Sequence, residues 1–376
     1  MEVDILKKVV VLYAAVGGGH FKAAEAIKNY IIENKPDCTV ELLDALKYTN
    51  KAIDKLVVKS YVNMARYSPA VWGEIYKFSA KQYSVANFSN AVQKLLSLKL
   101  IKYFKEQKPD IIVSTHPFIT EMCAILKKKE KINAKINVIL TDYASHRFWE
   151  LKPEYIDNYF VANSEIKYSM IYNGINKEKI HVTGIPVSPA FLKEYDKEKI
   201  YNEFELDKNK KTALIFGGGE YGLSNIKEFY TGLLELDEDI QIVTIAGKRV
   251  KSQEMFKKLA EKSSKKVIIL GYTNKIPELM QIADLVVSKP GGLTTTEILT
   301  SQIPFAIINP IPGQEEENAE FLLNNGAAIR IFDAKKTKPL LNNLLSDNIR
   351  IENMKNMQKH ISRPNSTRDI VDIIFR

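Results

Sequence analysis

Apolar residues in this chain concentrate in short runs of four to six, set apart by segments of helix length. In the first half the runs are Thr39 to Leu43, Ile111 to Ser114, Ile136 to Thr141 and Tyr159 to Ala162. In the second they are Ile240 to Ile245, Val267 to Leu270, Leu285 to Ser288 and Phe305 to Ile308. Apolar residues dominate each run, so each predicts a strand buried on both faces, as in a parallel sheet covered by helices. Two further runs echo each other. Lys7-Lys8 leads an apolar run to Val16 and then Gly17-Gly18-Gly19. Some two hundred residues later, Lys210-Lys211 leads Thr212 to Phe216 and then Gly217-Gly218-Gly219. A strand opening through glycines into a helix is how a nucleotide-binding β-α-β half begins.

The pattern predicts an α/β chain with two Rossmann-like domains. A length of 376 residues exceeds what one core usually organises. The junction is expected between Gly184 and Lys211, where Pro186 and Pro189 precede a polar, charge-rich run. The predicted domains are 1–195 and 196–364. Ligands of such sheets lie beyond the carboxyl ends of the strands, so two halves facing each other would enclose a cleft lined by both glycine loops.

Charge adds a second theme. The formal net charge is +9, and the excess is concentrated. From Lys47 to Lys108 there are twelve basic residues and three acids (Asp54, Glu74, Glu106). The stretch from Ile53 to Lys105 reads as helical and interleaves bases with aromatics, among them Arg66, Tyr67, Trp72 and Lys77. Trp and Tyr suit a membrane interface, and Lys and Arg can meet lipid phosphates over apolar surface. Ordinary core-packing helices with a solvated basic face are the other reading. No stretch of eighteen apolar residues occurs, and the run from Val9 to Val16 reads as a strand, not a signal peptide. Two cysteines, Cys38 and Cys123, make no disulfide framework and fit a reducing cytosol.

Candidate chemistry sits at the glycine loops. His20 follows Gly17-Gly18-Gly19 at a helix start, where the charged imidazole is disfavoured, so its pKa should fall. A neutral imidazole is the form a general base needs, although a histidine there can also merely cap or pack. In the second half, Ser288-Lys289-Pro290-Gly291-Gly292 ends an apolar strand and precedes a helix. Such a turn exposes amides that can hold a diphosphate, with Lys289 adding charge. Glu297, further along that helix, can accept ribose hydroxyls or simply complement the helix dipole. Gln314, Glu315 and Asn318 lie in the polar run after Asn309 to Gly313, placed to bind sugar hydroxyls. Asp237-Glu238-Asp239 has the composition of a metal-binding acidic triplet but precedes a strand, which sets it away from ligands. No metal and no cofactor is expected, and the leaving diphosphate would be stabilised by amides, helix termini and Lys289.

Taken together, these residues resemble the diacylglycerol glycosyltransferases of bacteria and plastids, within glycosyltransferase family 28, which also contains the transferase making the peptidoglycan lipid precursor. The likeness spans nearly the whole chain. It rests on Ala14 to His20 with Ala23 to Ile27, then Pro109 to Ile112, His116-Pro117, Thr141-Asp142 and Gly184 to Val187. It continues through Gly271-Tyr272-Thr273, Met280, Ala283-Asp284, Ser288 to Gly292, Glu297, Pro312 to Glu315 and Asn318-Ala319. The resemblance implies a GT-B fold, a UDP-sugar donor, a lipid acceptor, inversion at the anomeric carbon, and a C-terminal helix (365–376) completing the first domain. It implies that Gly217, Gly218, Ser288, Lys289, Gly291 and Gly292 surround the diphosphate, with Tyr272 and Thr273 near the uracil. It puts Glu297 on the ribose and Gln314, Glu315 and Asn318 facing the sugar. His20 stands at the acceptor hydroxyl with Asp142 and His116 assisting. Gly18, Gly19 and Trp149, the last in the looser match Ser145 to Trp149, stand with the basic aromatic stretch on the acceptor and membrane side.

The expected function is transfer of a hexose from a UDP-sugar to diacylglycerol at the cytosolic face of an anionic membrane, without metal. Rivals are an N-acetylglucosamine transferase acting on an isoprenoid diphosphate and a UDP-sugar 2-epimerase, which needs no lipid. A nicotinamide oxidoreductase fits less well, since the first loop lacks G-x-G-x-x-G spacing, although Asp44 ends the second strand where a ribose-binding acid sits. A nucleic-acid role for the basic stretch finds no support in the sugar-nucleotide half, and no nucleic-acid partner is expected.

Overall fold

The computed structural model describes residues 7–15, 18–49, 98–217 and 226–376. Arg66, Tyr67, Trp72 and Lys77 of the basic aromatic stretch, and Gly17 and Gly218 of the glycine loops, lie outside the described residues. Contacts divide the chain into two units, Met1–Ser188 with Arg363–Arg376 and Pro189–Ser362.

The first unit is built on a six-stranded parallel sheet in the order β2-β1-β3-β4-β5-β6. The strands are β1 (Lys7–Tyr13), β2 (Cys38–Asp44), β3 (Ile111–Ser114), β4 (Lys135–Ile139), β5 (Asn158–Val161) and β6 (Ile180–Val182). Val9 to Leu12 are wholly buried, as the unbroken apolar run requires. The helix Gly18–Asn34 lays Ala24, Ile27 and Ile31 on Val9, Val11, Ile111 and Val113. The C-terminal helix Ser366–Ile374 adds Ile370, Val371 and Ile374 to the same core, one face of a helix by its 3.6-residue period. Its start is tied down by two side chains. Ser366 Oγ donates to the Ile185 carbonyl (2.7 Å) and Thr367 Oγ1 to the Val187 carbonyl (2.8 Å). Gly184 permits this approach: its φ is +87°, and a Cβ there would stand 2.5 Å from Arg363 Cβ.

The second unit carries six parallel strands in the order β12-β11-β10-β7-β8-β9. These are β7 (Lys211–Phe216), β8 (Ile240–Ile245), β9 (Val267–Leu270), β10 (Leu285–Ser288), β11 (Phe305–Ile308) and β12 (Ile329–Ile331). Four of them begin and end where the apolar runs do. The two strands that no apolar run predicts, β6 and β12, are three-residue edge strands, too short to show a period. Conversely, the Val9 to Val16 run overshoots, since β1 stops at Tyr13.

Strand order sets where ligands can reach. In each sheet the first strand has neighbours reached by crossovers in opposite directions, which opens a crevice at the strands' carboxyl ends. The crevice lies between β1 and β3 in the first unit and between β7 and β10 in the second.

Candidate functional site

In the first unit the crevice holds His20, from the helix after β1, and Thr115, the residue after β3. His20 Nδ1 stands 2.5 Å from the Thr115 carbonyl and 3.1 Å from Thr141 Oγ1. A carbonyl only accepts, so Nδ1 carries the proton and Nε2 keeps its lone pair. Thr115 also donates from Oγ1 to the His20 carbonyl (3.0 Å), fixing the backbone that carries the ring. Burial lowers the His20 pKa to about 4, while the bond to Thr115 opposes the shift. The main cause is therefore the surrounding protein, not the helix start. His116 meets His20 ring to ring at 4.8 Å and 66°. Its Nδ1 is buried without a partner, and burial with its two histidine neighbours holds its pKa well below the usual value. His146, 7% exposed, accepts from the Phe148 amide on Nδ1 (3.3 Å), and burial brings its pKa to about 4. Thr141 and His146 lie in segments that resemble the family but do not single them out, and no motif marks Thr115. They are scattered single residues that only the crevice brings together. Asp142 is half-buried and follows Thr141 directly.

One expectation for this unit changes. Trp149, set on the acceptor and membrane side, is fully buried with no partner on Nε1, and it packs by His146. A side chain with no exposed surface touches neither lipid nor acceptor, so Trp149 supports the histidine wall from behind. Asp44, at the end of β2, accepts the Lys47 amide on Oδ1 (3.1 Å) at the start of the helix Ala45–Thr49. Gly18 opens the helix Gly18–Asn34 with nothing within 4 Å of where a Cβ would stand, and Gly19 is half-buried behind it.

In the second unit, Ser288 ends β10, and Gly291 is the N-cap of the helix Gly292–Ser301. The free amides of a first helical turn can hold an anion. Lys289 Nζ lies 3.3 Å from Glu315 Oε1, with both side chains mostly buried (11% and 18% exposed). Glu315 Oε2 accepts the Ile311 amide at 2.7 Å. The turn before Gln314 is possible because Gly313 sits at φ +99°. Glu316 is engaged elsewhere, in a two-pronged pair with Arg330 (2.5 and 2.9 Å). Glu297 is half-buried in the helix Gly292–Ser301, and Gln314 is the first residue of the helix Gln314–Asn324. Tyr272 is 58% exposed just beyond β9, while Thr273 Oγ1 accepts the Lys275 amide.

Here two expectations change. Asn318, set facing the sugar, is fully buried and donates from Nδ2 to the Pro290 carbonyl (2.9 Å). It braces the Lys289–Gly291 turn and has no surface left for a sugar. Gly217 is buried, and a Cβ there would meet Phe256 Cε2 at 2.7 Å, so packing against Phe256 demands the glycine. The Asp237 to Asp239 triplet lies just before β8, and each carboxylate pairs with a lysine: Lys338, Lys211 and Lys210. Among the described residues no group of His, Cys, Asp and Glu is arranged to hold a metal ion.

Comparison with known proteins assigns this architecture. Residues 20–187 match the family model described as monogalactosyldiacylglycerol (MGDG) synthase, and residues 212–373 match the glycosyltransferase family 28 C-terminal domain. A processive diacylglycerol beta-glucosyltransferase of Bacillus pumilus is 31% identical over 368 residues, 98% of this chain and 94% of that protein. Among solved structures, MurG of Acinetobacter baumannii is similar with a TM-score of 0.63 at 17% identity, covering 98% of this chain and 99% of that one. The UDP-GlcNAc 2-epimerase of Neisseria meningitidis, bound to UDP-GlcNAc, gives 0.65 at 13% identity over the same shares. At those identities the solved structures speak for the fold, whereas the likeness to the Bacillus pumilus protein runs through the sequence itself. The chain therefore has a GT-B fold and belongs to the diacylglycerol glycosyltransferase family, the MGDG-synthase members of glycosyltransferase family 28.

Proposed function

We propose that the chain transfers a hexose from a UDP-sugar to the free hydroxyl of diacylglycerol, with inversion and without a metal, at an anionic membrane surface. The observation that carries the chemistry is the tautomer of His20. With Nδ1 committed to the Thr115 carbonyl, Nε2 is a neutral acceptor, the state a general base must be in before it takes a proton. In the reaction the acceptor hydroxyl gives its proton to Nε2 while its oxygen attacks the anomeric carbon. The bond from that carbon to the diphosphate breaks on the opposite face, and the electron pair leaves on UDP. Amides at the start of the helix Gly292–Ser301, together with Lys289, take up the charge on the leaving diphosphate. Lipid specificity is supported by the Bacillus pumilus relative, whose name gives diacylglycerol as acceptor, and by the MGDG-synthase match over the first unit. A UDP-linked donor is in keeping with the fold shared with the epimerase bound to UDP-GlcNAc.

Purified protein, given UDP-glucose or UDP-galactose in EDTA with vesicles of phosphatidylglycerol and diacylglycerol, should form glycosyldiacylglycerol with inverted configuration. A strict need for magnesium or manganese would overturn the metal-free reading. Product formation on an isoprenoid diphosphate, but not on diacylglycerol, would overturn the acceptor. Surface docking rests on the basic aromatic stretch 53–105. Sedimentation with anionic but not neutral vesicles, weakened by salt, is the expected outcome.

A further inference from the structure

Beyond β8 and β9 the two neighbouring loops form a small, stiff platform. The strands pair up to Ile245 and Leu270, and the Ala246 amide extends the ladder to the Leu270 carbonyl at 2.8 Å. Gly247-Lys248 and Gly271-Tyr272 therefore leave the sheet side by side at its ligand-facing end. Gln253 staples them. Its Nε2 donates to the Gly247 carbonyl (2.8 Å) and stands 3.1 Å from where a Gly271 Cβ would be, so a larger residue there would push the staple out. Gly247 needs its φ of +72° to turn the chain toward Tyr272. On this base, Lys248 Nζ sits 4.6 Å from the centroid of the Tyr272 ring. Tyr272 nevertheless keeps 58% of its surface in solvent. An exposed aromatic whose ring is held by a cation on one face, over a braced turn, is a shelf prepared for a flat ligand.

We infer that Lys248 is a positioning residue for the nucleobase of the donor. It holds the Tyr272 ring so that the remaining face receives the base, and Gln253 keeps the two loops in register. This rests on the reading that the second unit binds a UDP-sugar, and it adds to that reading how the base is held. Lys248 acts through Tyr272 and not on the phosphates, which separates it from Lys289.

Calorimetric binding of UMP and UDP, with inorganic pyrophosphate as a ligand that lacks the base, tests this. Lys248→Met keeps the aliphatic stem and removes the charge, and it should weaken UMP and UDP alike by about three-fold. Lys248→Arg, which restores a cation over the ring, should bind like the wild type. Tyr272→Ala should cost about ten-fold or more, as lost base stacking does. In that background Lys248→Met should have no further effect, and pyrophosphate binding should be untouched by either change. The inference is overturned if Lys248→Met leaves UMP binding as it was, if its effect persists without Tyr272, or if pyrophosphate weakens in step. Wild-type protein that takes up neither UDP nor UMP would remove the donor reading itself and this inference with it. Normal wild-type binding with an unaffected Lys248→Met removes only the role of Lys248.

Discussion

The carbonyl of Thr115 lies 2.5 Å from His20 Nδ1, and the Thr115 hydroxyl returns 3.0 Å to the His20 carbonyl, so one residue fixes both ring and backbone of the other. Removing the imidazole should therefore remove chemistry and little else. His20→Ala should lower kcat by about 100- to 10,000-fold, the usual worth of a positioned base. UDP binding, measured by calorimetry, should stay within about two-fold. Unchanged turnover would take His20 out of the mechanism.

The depressed pKa values of His20 and His146, both about 4, make a prediction about acid. A base must be neutral to act, so the acidic limb of kcat/KM should fall near pH 4, well below the ordinary histidine value. Stability carries the same sign. The unfolded histidines protonate near pH 6.5 while the folded ones resist, so the stability their neutral burial allows is fully present above pH 6.5. It is lost progressively down to about pH 4. For His146 alone the loss is on the order of 3 kcal/mol. His146→Asn, which can still accept the Phe148 amide, should flatten the fall of Tm between pH 6.5 and 4. An unchanged slope would refute the assignment.

His116 presents the opposite bargain. Its buried, unpartnered Nδ1 costs stability in the free protein. His116→Phe should raise unfolding stability by about 1 kcal/mol and lower turnover, since a polar group kept at such a cost beside His20 serves the acceptor. A stabilised variant with full activity would show that the ring only fills space.

Lys289 and Glu315 are a mostly buried pair beside the Pro290–Gly291 turn. Lys289→Met should abolish the rise in Tm that UDP produces and should also destabilise the free protein by about 2 kcal/mol, between exposed and fully buried pairs. Adding Glu315→Gln should recover most of that stability without recovering UDP binding. Recovery of both would mean that the lysine serves only the fold.

Gly217 answers to Phe256 by our reading. Gly217→Ala should destabilise by roughly 1–3 kcal/mol through overpacking, and Phe256→Leu should relieve part of it. Denaturant melts of the two single variants and the double variant give the coupling directly. Additive losses would point away from this contact.

Strands were the most legible part of the chain, because a strand buried on both faces must be an unbroken apolar run. Leu285 to Ser288 and Phe305 to Ile308, each fully buried, could be bounded to the residue. The three-residue strands Ile180–Val182 and Ile329–Ile331 could not, since edge strands borrow their stability from a neighbour already in place. Site residues divided along a similar line. Lys289 and Gly291 announce themselves at a strand end before a helix. Thr115 does not, for its role is played by a backbone carbonyl that every residue type carries. Asn318 and Trp149 misled because residue type says what a side chain can bond but not whether anything is left for it to touch.

Periodicity and turn chemistry, which act over a few neighbouring residues, determined by themselves that two parallel α/β halves would form. Only the tertiary structure decided which nitrogen of His20 carries its proton, and that three histidines would share one crevice. The order of strands likewise decided that Gly217 would answer to Phe256 and that Lys248 would come to rest over Tyr272. The reason is physical: local preferences depend on residues adjacent in sequence, whereas burial and hydrogen-bond pairing depend on groups a hundred residues away that the sheet brings within a few ångströms.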